Sequence, residues 1–275
     1  MLPNAFGKLP LDILIQIVRY LDEKSQLELG LTSKKISSIC CKQLWHTRTC
    51  TSISALEAWA NTLNKEDNVH PYHEWVIGLN LAFDSIQFVP DSILIPRQIT
   101  TRTLKLLNVH ATPTASRSVM RLISCEKTEE VEINKCSVEI IAGFATRLEF
   151  NRNKHLKLNR ISIIDCFLLD TQVAHIVSFT PNLRSFTSEG CSYLSDTAIL
   201  AITEHCPLIE TMIVTLPNHI RQSNTITVSS LKALSKCKKL TKLICKGQVR
   251  LIGDEHRIWL LKNCPSLEYC DLSYD

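Results

Sequence analysis

Twelve cysteines and nine histidines are the side chains in this 275-residue chain best able to do chemistry. Thiolate attack, zinc ligation and disulfide formation would each use them, and each makes a spacing demand. Zinc sites usually pair their ligands as C-x-x-C, which occurs nowhere here. The tightest histidine pair, His70-Pro71-Tyr72-His73, has no thiol beside it. A nucleophilic cysteine needs a histidine and an orienting group gathered from elsewhere in the fold, and nothing in the spacing singles one out. A disulfide framework belongs to oxidising compartments. The opening Met1-Leu2-Pro3-Asn4 lacks the charged-then-apolar layout of a secretory signal. The expected location is therefore cytoplasmic or nuclear. Only 7 glycines are present, and neither G-x-G-x-x-G nor the P-loop pattern occurs, which argues against a nucleotide enzyme. A net charge of +4 is too weak over this length to point to nucleic acid. No apolar run approaches the ~18 residues that cross a membrane. The expectation is a non-enzyme with no cofactor, no metal, no nucleic-acid partner and no membrane partner.

The cysteines instead keep time with a repeat. With Cys206 as position 0, apolar residues fall at +3 (Ile209), +6 (Met212) and +8 (Val214). The same frame fits Cys264 (Leu267, Cys270, Leu272) and Cys237 (Leu240, Leu243, Cys245). It also fits Thr180 (Leu183, Phe186, Ser188, then Cys191 at +11), His155 (Leu158, Ile161, Ile163, Cys166) and Cys125 (Thr128, Val131, Ile133, Cys136). Weaker copies begin at Gln98 (Leu104, Leu106) and His73 (Val76, Leu79, Leu81). The spacing averages about 27 residues, and all nine cysteines from Cys125 onward fall at 0, +6, +8 or +11. Positions +6 and +8 flank one outward residue and so read as a short strand. Asp170, Asp196 and Asp254 each stand ten residues before the next start, where an aspartate can cap a helix. Apolar pairs at helical spacing follow them: Val173 and Ile176, Ile199 and Ile202, Ile258 and Leu261. Cysteine in this frame is a small buried hydrophobe.

The first fifty residues are of another kind. Apolar residues at Pro10, Ile13, Leu14, Ile17, Val18 and Leu21 form a helical stripe. Asp22 can cap a second helix carrying Leu27, Leu29 and Leu31, and Thr32-Ser33 precede a third over residues 34–45. Three short helices cannot bury a self-sufficient core, so their apolar surplus must face a partner, the repeats, or both.

Both parts resemble known families. The Leu9-Pro10…Ile13-Leu14…Ile17…Tyr20-Leu21…Leu27…Leu31…Lys34-Lys35 line resembles the F-box, and Leu44-Trp45-His46 resembles the ending common in fungal members. Leu11-Asp12 replaces the family's acidic residue after Leu-Pro, and Ile36 its usual tryptophan. The repeat, clearest in Tyr193-Leu-Ser-Asp196…Glu204-His-Cys-Pro207, resembles cysteine-containing leucine-rich repeats. These resemblances imply an α/β fold: a small three-helix F-box module followed by a leucine-rich-repeat solenoid, a curved parallel strand ladder with helices on the convex side. The expected boundaries are 5–48 for the module, 49–72 for a linker with a capping helix at Ser54–Leu63, and 73–275 for about eight repeats. The implied function is the substrate-recognition subunit of an SCF-type ubiquitin ligase. Leu9, Pro10, Ile13, Leu14, Ile17 and Leu21 would contact or shape the surface that binds the Skp-family adaptor, and through it a cullin. The alternative is a non-catalytic repeat scaffold without a ligase role.

The substrate, an unidentified protein, would meet the residues flanking the strand ladder, at +5, +7 and +9. These include Glu130, Glu132, Arg160, Glu189, Thr211, Lys242 and Lys246. Acidic at one end and basic at the other, this face predicts a bipolar groove, with an acidic or phosphorylated segment of the substrate near Lys242 and Lys246.

Overall fold

In the computed structural model the described residues are 9–65, 71–96, 99, 101–124, 126–151, 156–191, 194–217, 225–248, 251 and 254–273. The expected repeat starts Gln98, Cys125 and His155 lie outside them, as do His70 and Tyr193.

The chain opens with three helices, α1 (Leu11–Tyr20), α2 (Glu23–Gly30) and α3 (Lys34–His46). Asp22 accepts from the Ser25 amide at 2.8 Å and Ser33 from the Ile36 amide at 3.3 Å, so α2 and α3 begin where the sequence places their caps. Strand β1 (Thr47–Cys50) follows α3 directly, and α4 (Ile53–Leu63) and a short α5 (Tyr72–Trp75) come next. Two strands, β2 (Gly78–Val89) and β3 (Thr103–Ala111), come in succession, and helices and strands then alternate: α6 (Pro113–Met120), β4 (Glu130–Asn134), α7 (Val138–Phe150), β5 (Arg160–Ile164), α8 (Asp170–Ser178), β6 (Ser185–Glu189), α9 (Asp196–His205), β7 (Thr211–Thr215), α10 (Val228–Leu234), β8 (Lys242–Lys246), α11 (Asp254–Asn263) and β9 (Tyr269–Asp271).

The strands form one nine-stranded parallel sheet in sequence order, an open solenoid-like arrangement of strand-and-helix coils. Every strand from β2 onward begins at +5 of the frame. The register pairs like with like, Leu79 with Leu104, Val131, Ile161, Phe186, Met212, Leu243 and Cys270. These side chains and their +8 neighbours pack inward, with the helices, in one continuous core. Parallel strands need crossovers, and from β3 onward each coil of about 27 residues supplies one strand and one return helix.

Two expectations change. Among the described residues the ladder carries one strand ahead of the eight that stand within 73–275: β1 pairs with β2 from Thr47 opposite Gly78 to Cys50 opposite Leu81. Within the described part of 49–72, residues 49–50 belong to this strand, and α4 follows it as later helices follow theirs. The polar Thr47-Arg48-Thr49 run hid this strand, because an end strand has little apolar surface to bury. Nor do Asp170 and Asp196 cap their own helices. Asp170 and Asp196 are the first helical residues, and each reaches into the next coil. Asp170 accepts from the Ser195 amide (2.8 Å) and hydroxyl (2.5 Å). Asp196 accepts from the Thr227 amide (2.7 Å), the Thr227 hydroxyl (2.6 Å) and the Ser230 hydroxyl (2.5 Å). Asp91 does the same earlier, accepting from the Thr112 hydroxyl and the Ala115 amide. Each carboxylate thus anchors the start of the following helix, where the amide ends of the helix favour negative charge.

Position +10 takes a left-handed residue, within β3 at Asn108 and in the turn after the strand at Lys135, Asp165, Gly190 and Gly247, all with positive φ. At Gly190 an added Cβ would also strike the Asp165 carboxylate. Gly190→Ala is expected to cost about 2 kcal/mol, from a left-handed alanine plus displacement of Asp165. Chemical denaturation checks this, with an unchanged slope and a lowered midpoint expected.

The cysteines occupy the corners that follow. Cys136, Cys166 and Cys191 lie at +11, buried, with their thiols donating to strand carbonyls. Cys166 bonds to Ile164 at 3.1 Å and Ile133 at 3.7 Å, and Cys136 to Asn134 at 3.2 Å. Thr128, a polar interruption of the apolar ladder, is likewise buried and donates to the Thr101 carbonyl at 2.6 Å.

Candidate functional site: two exposed faces

The helical module has a small core of its own, Val18, Ile36 and Cys40, with Leu29 and Ile39 against it. Two apolar faces run along α1. Leu14 and Val18 point inward, each 1% exposed. Pro10, Ile13 and Tyr20 are exposed and Ile17 half-exposed, at spacings of three, four and three residues that put them on one stripe. Tyr20 is 91% exposed and Ile13 38%. The neighbouring α2 inverts the usual pattern. Its polar Gln26 is buried and donates to the Val18 and Leu21 carbonyls at 2.9 Å each, closing the end of α1, while Leu27 and Leu31 face outward. A module that hides glutamine and shows tyrosine and leucine is built to be covered.

Of the six residues expected at this surface, Pro10 and Ile13 are exposed, and Leu9, Ile17 and Leu21 are half-exposed. Leu14 lies in the interior, so its part is to support the helix from below. Leu11, Tyr20, Leu27 and Leu31 also expose apolar surface on the module but were absent from the expected set. The three-four-three spacing from Pro10 through Ile13 and Ile17 to Tyr20 was the signal for Tyr20; Leu27 had none, since its place depends on Gln26 turning inward.

The module is fixed to the ladder. Trp45 stacks on Tyr72 with ring centroids 4.4 Å apart, Ile77 donates to the His46 carbonyl at 2.8 Å, and Arg48 approaches Glu23 at 4.0 Å. Burial lowers the His46 imidazole pKa, and the charges of Arg19 and Lys42 push it the same way. A neutral ring at this joint tolerates neighbouring cations.

The comparison with protein families bears on this module. Residues 6–51 match the F-box-like family model. The chain thus carries an F-box-like domain at its N-terminal side, spanning α1 to β1, and with it the general expectation of a Skp-type adaptor as partner. No curated protein matches the chain.

The second face is the side of the sheet that the helices leave open. It has three rows. The first runs Thr47, Gly78, Thr103, Glu130, Arg160, Ser185, Thr211, Lys242, Tyr269. The second runs Thr49, Asn80, Lys105, Glu132, Ser162, Thr187, Ile213, Ile244, Asp271, and the third Ala82, Leu107, Asn134, Ile164, Glu189, Thr215, Lys246. All seven expected face residues stand on these rows, but the bipolar field does not follow. Lys105 lies 2.9 Å from Glu132 and 3.7 Å from Glu130, and Arg160 lies 3.6 Å from Glu130. The hydrogen bond to Glu132 is the main reason the Lys105 ammonium is held above its ordinary pKa. At the other end Lys246 pairs with Asp271 at 3.3 Å, and the Lys242 ammonium lies 5.7 Å from the Tyr269 ring centroid. Opposite charges on adjacent strands cancel locally, and the sequence could not show this because the partners are about 25 residues apart.

Six buried thiols are poor nucleophiles and ligands. Burial pushes Cys166, Cys206 and Cys245 up to about 12, and Cys50, Cys136 and Cys237 up to about 11. At pH 8 a pKa near 12 leaves about one thiolate in ten thousand, so these positions are expected to resist alkylation until the chain unfolds. Mass spectrometry after native and denaturing alkylation checks this. Rapid native labelling of Cys166 or Cys206 would contradict it. Among the described residues no three His, Cys, Asp or Glu side chains gather as a metal-binding group, and no described helix is long and apolar enough to cross a membrane.

Proposed function

We propose that this chain is the substrate-recognition subunit of an SCF-type ubiquitin ligase. The F-box-like module binds the Skp-family adaptor, and through it a cullin; the open face of the ladder, read as leucine-rich repeats, holds the substrate protein. The chain performs no bond chemistry. Its contribution is effective concentration, holding a substrate beside the transfer machinery.

The observation that carries this reading is the coincidence of the family match over residues 6–51 with an exposed apolar stripe, Pro10, Ile13, Ile17 and Tyr20, on the first helix of that match. The attachment through Trp45, Tyr72 and His46 adds a mechanical point. With no linker between α3 and β1, the substrate face keeps a set orientation to the adaptor. Co-purification of the full chain with the Skp-family adaptor tests the proposal. A stoichiometric complex that ubiquitylates a bound protein when cullin is added is expected. Absence of the adaptor would leave the second reading, a repeat scaffold whose module only packs on its own ladder, which the Trp45–Tyr72 contact by itself would also serve.

A further inference from the structure

The middle of the open face differs from both ends. Between Arg160 and Lys242 the three rows present Ser162, Ile164, Ser185, Thr187, Thr211, Ile213, Thr215 and Ile244, all half-exposed, and a single charged side chain, Glu189. The charges at either end are engaged with one another across neighbouring strands, as Lys105 with Glu130 and Glu132, Arg160 with Glu130, and Lys246 with Asp271. Glu189 belongs to none of the ion pairs among the described residues. Its row neighbours are Ile164 and Thr215, one strand away on either side. Asp165, in the turn after β5, faces Lys135 at 4.0 Å.

We infer that the open face binds an aliphatic, unphosphorylated segment of a partner protein that sets one lysine or arginine against Glu189. This rests on the reading of the open face as the substrate surface and names the chemistry of that substrate. A phosphorylated segment would have to break the Lys246–Asp271 pair and draw Lys242 off Tyr269 before finding a cation, and it would then lie against isoleucine and threonine side chains. An aliphatic segment meets Ile164, Ile213 and Ile244 directly, and hydroxyls between them satisfy its backbone. A cation at Glu189 is flanked by methyl groups, which thin the water around the pair and strengthen it relative to a rim contact. Neighbouring strands are about 4.8 Å apart, so the region from β5 to β8 spans about 15 Å, enough for four or five residues of an extended partner.

The test uses the full chain and synthetic twelve-residue peptides with valine, isoleucine and serine flanks and one varied centre: lysine, arginine, glutamine, glutamate or phosphoserine. Fluorescence anisotropy is expected to give central lysine or arginine about tenfold tighter binding than glutamine, with phosphoserine weakest. Glu189→Gln should bring lysine and glutamine within about twofold, and Glu189→Lys should make the glutamate peptide the best. A phosphoserine preference, a lysine preference that survives Glu189→Gln, or no binding of any peptide would overturn the inference. Ile213→Glu separates the two levels, with Thr187→Glu as a substitute should it not fold. Peptide binding that is lost in that variant but indifferent to Glu189 removes only the inference. Peptide binding untouched by it means the open face is not the docking surface, and the substrate assignment falls as well.

Discussion

Ile13→Glu combined with Tyr20→Lys is expected to reduce adaptor binding by about a hundredfold while leaving the thermal midpoint within a few degrees of the parent. Both side chains lie on the outer stripe of α1, Ile13 at 38% and Tyr20 at 91% exposure, so neither replacement opens a cavity. The new charges also suit the helix, with glutamate in its first turn and lysine in its last. Placed in an apolar interface, each would forfeit contact area and strand a charge away from water, and two such losses of about 1.4 kcal/mol multiply to a hundredfold. Leu14→Glu makes the informative contrast. Leu14 is 1% exposed, so a carboxylate there is buried without a partner and the module is expected to lose its structure. Both variants would lose the adaptor, but only Leu14→Glu should also lower the melting temperature. An outer-stripe variant that keeps full adaptor binding would remove α1 as the contact surface.

Asp196→Ala is expected to destabilise the ladder by about 4 kcal/mol, the largest effect we anticipate from a single polar substitution. Three donors converge on this carboxylate, the Thr227 amide, the Thr227 hydroxyl and the Ser230 hydroxyl, at 2.7, 2.6 and 2.5 Å. Hydrogen bonds to a charged acceptor contribute about 1.5–3 kcal/mol each and are not additive, while the donors left behind are partly or wholly buried. The damage should be local at first, since a solenoid is held by contacts between neighbouring coils. Hydrogen exchange should rise in α10 and β8 before it rises in β4. The same carboxylate gives a pH signature. Burial raises its pKa, but the hydrogen bonds from Ser230 and Thr227 outweigh burial and leave it below the ordinary aspartate value. A depressed folded pKa means that the stabilisation is fully present above about pH 4 and is lost as pH falls through the lower folded value. Asp196→Ala should therefore lose part of the parent's acid-induced destabilisation, measured as a smaller shift in denaturation midpoint between pH 5 and pH 3.

Much of the fold was legible because the repeat imposes one rule on every coil. An inward residue at +6 must be apolar, and one at +8 apolar or, as at Ser188, small. That requirement survives from Leu79 to Cys270 even where the chain between strands changes length. The left-handed +10 position was not legible, although five coils share it. Glycine would have marked it, but Asn108, Lys135 and Asp165 take the left-handed conformation in its place. The capping role expected of Asp170 and Asp196 failed for a related reason: a carboxylate at the start of one helix can also reach the start of the next, and spacing along the chain cannot distinguish them.

By itself the sequence determined the period, the inward face of each strand, the three N-terminal helices and the structural reading of the cysteines. All of these follow from local alternation of apolar and polar residues, which burial enforces one coil at a time. Only the tertiary structure decided that β1 begins the ladder, that Gln26 turns inward while Tyr20 and Leu27 turn out, that the lysines and glutamates of the open face cancel, and that Glu189 stands apart. Those outcomes depend on which side chains meet across coils, and on the competition between burial and hydrogen bonding at each meeting.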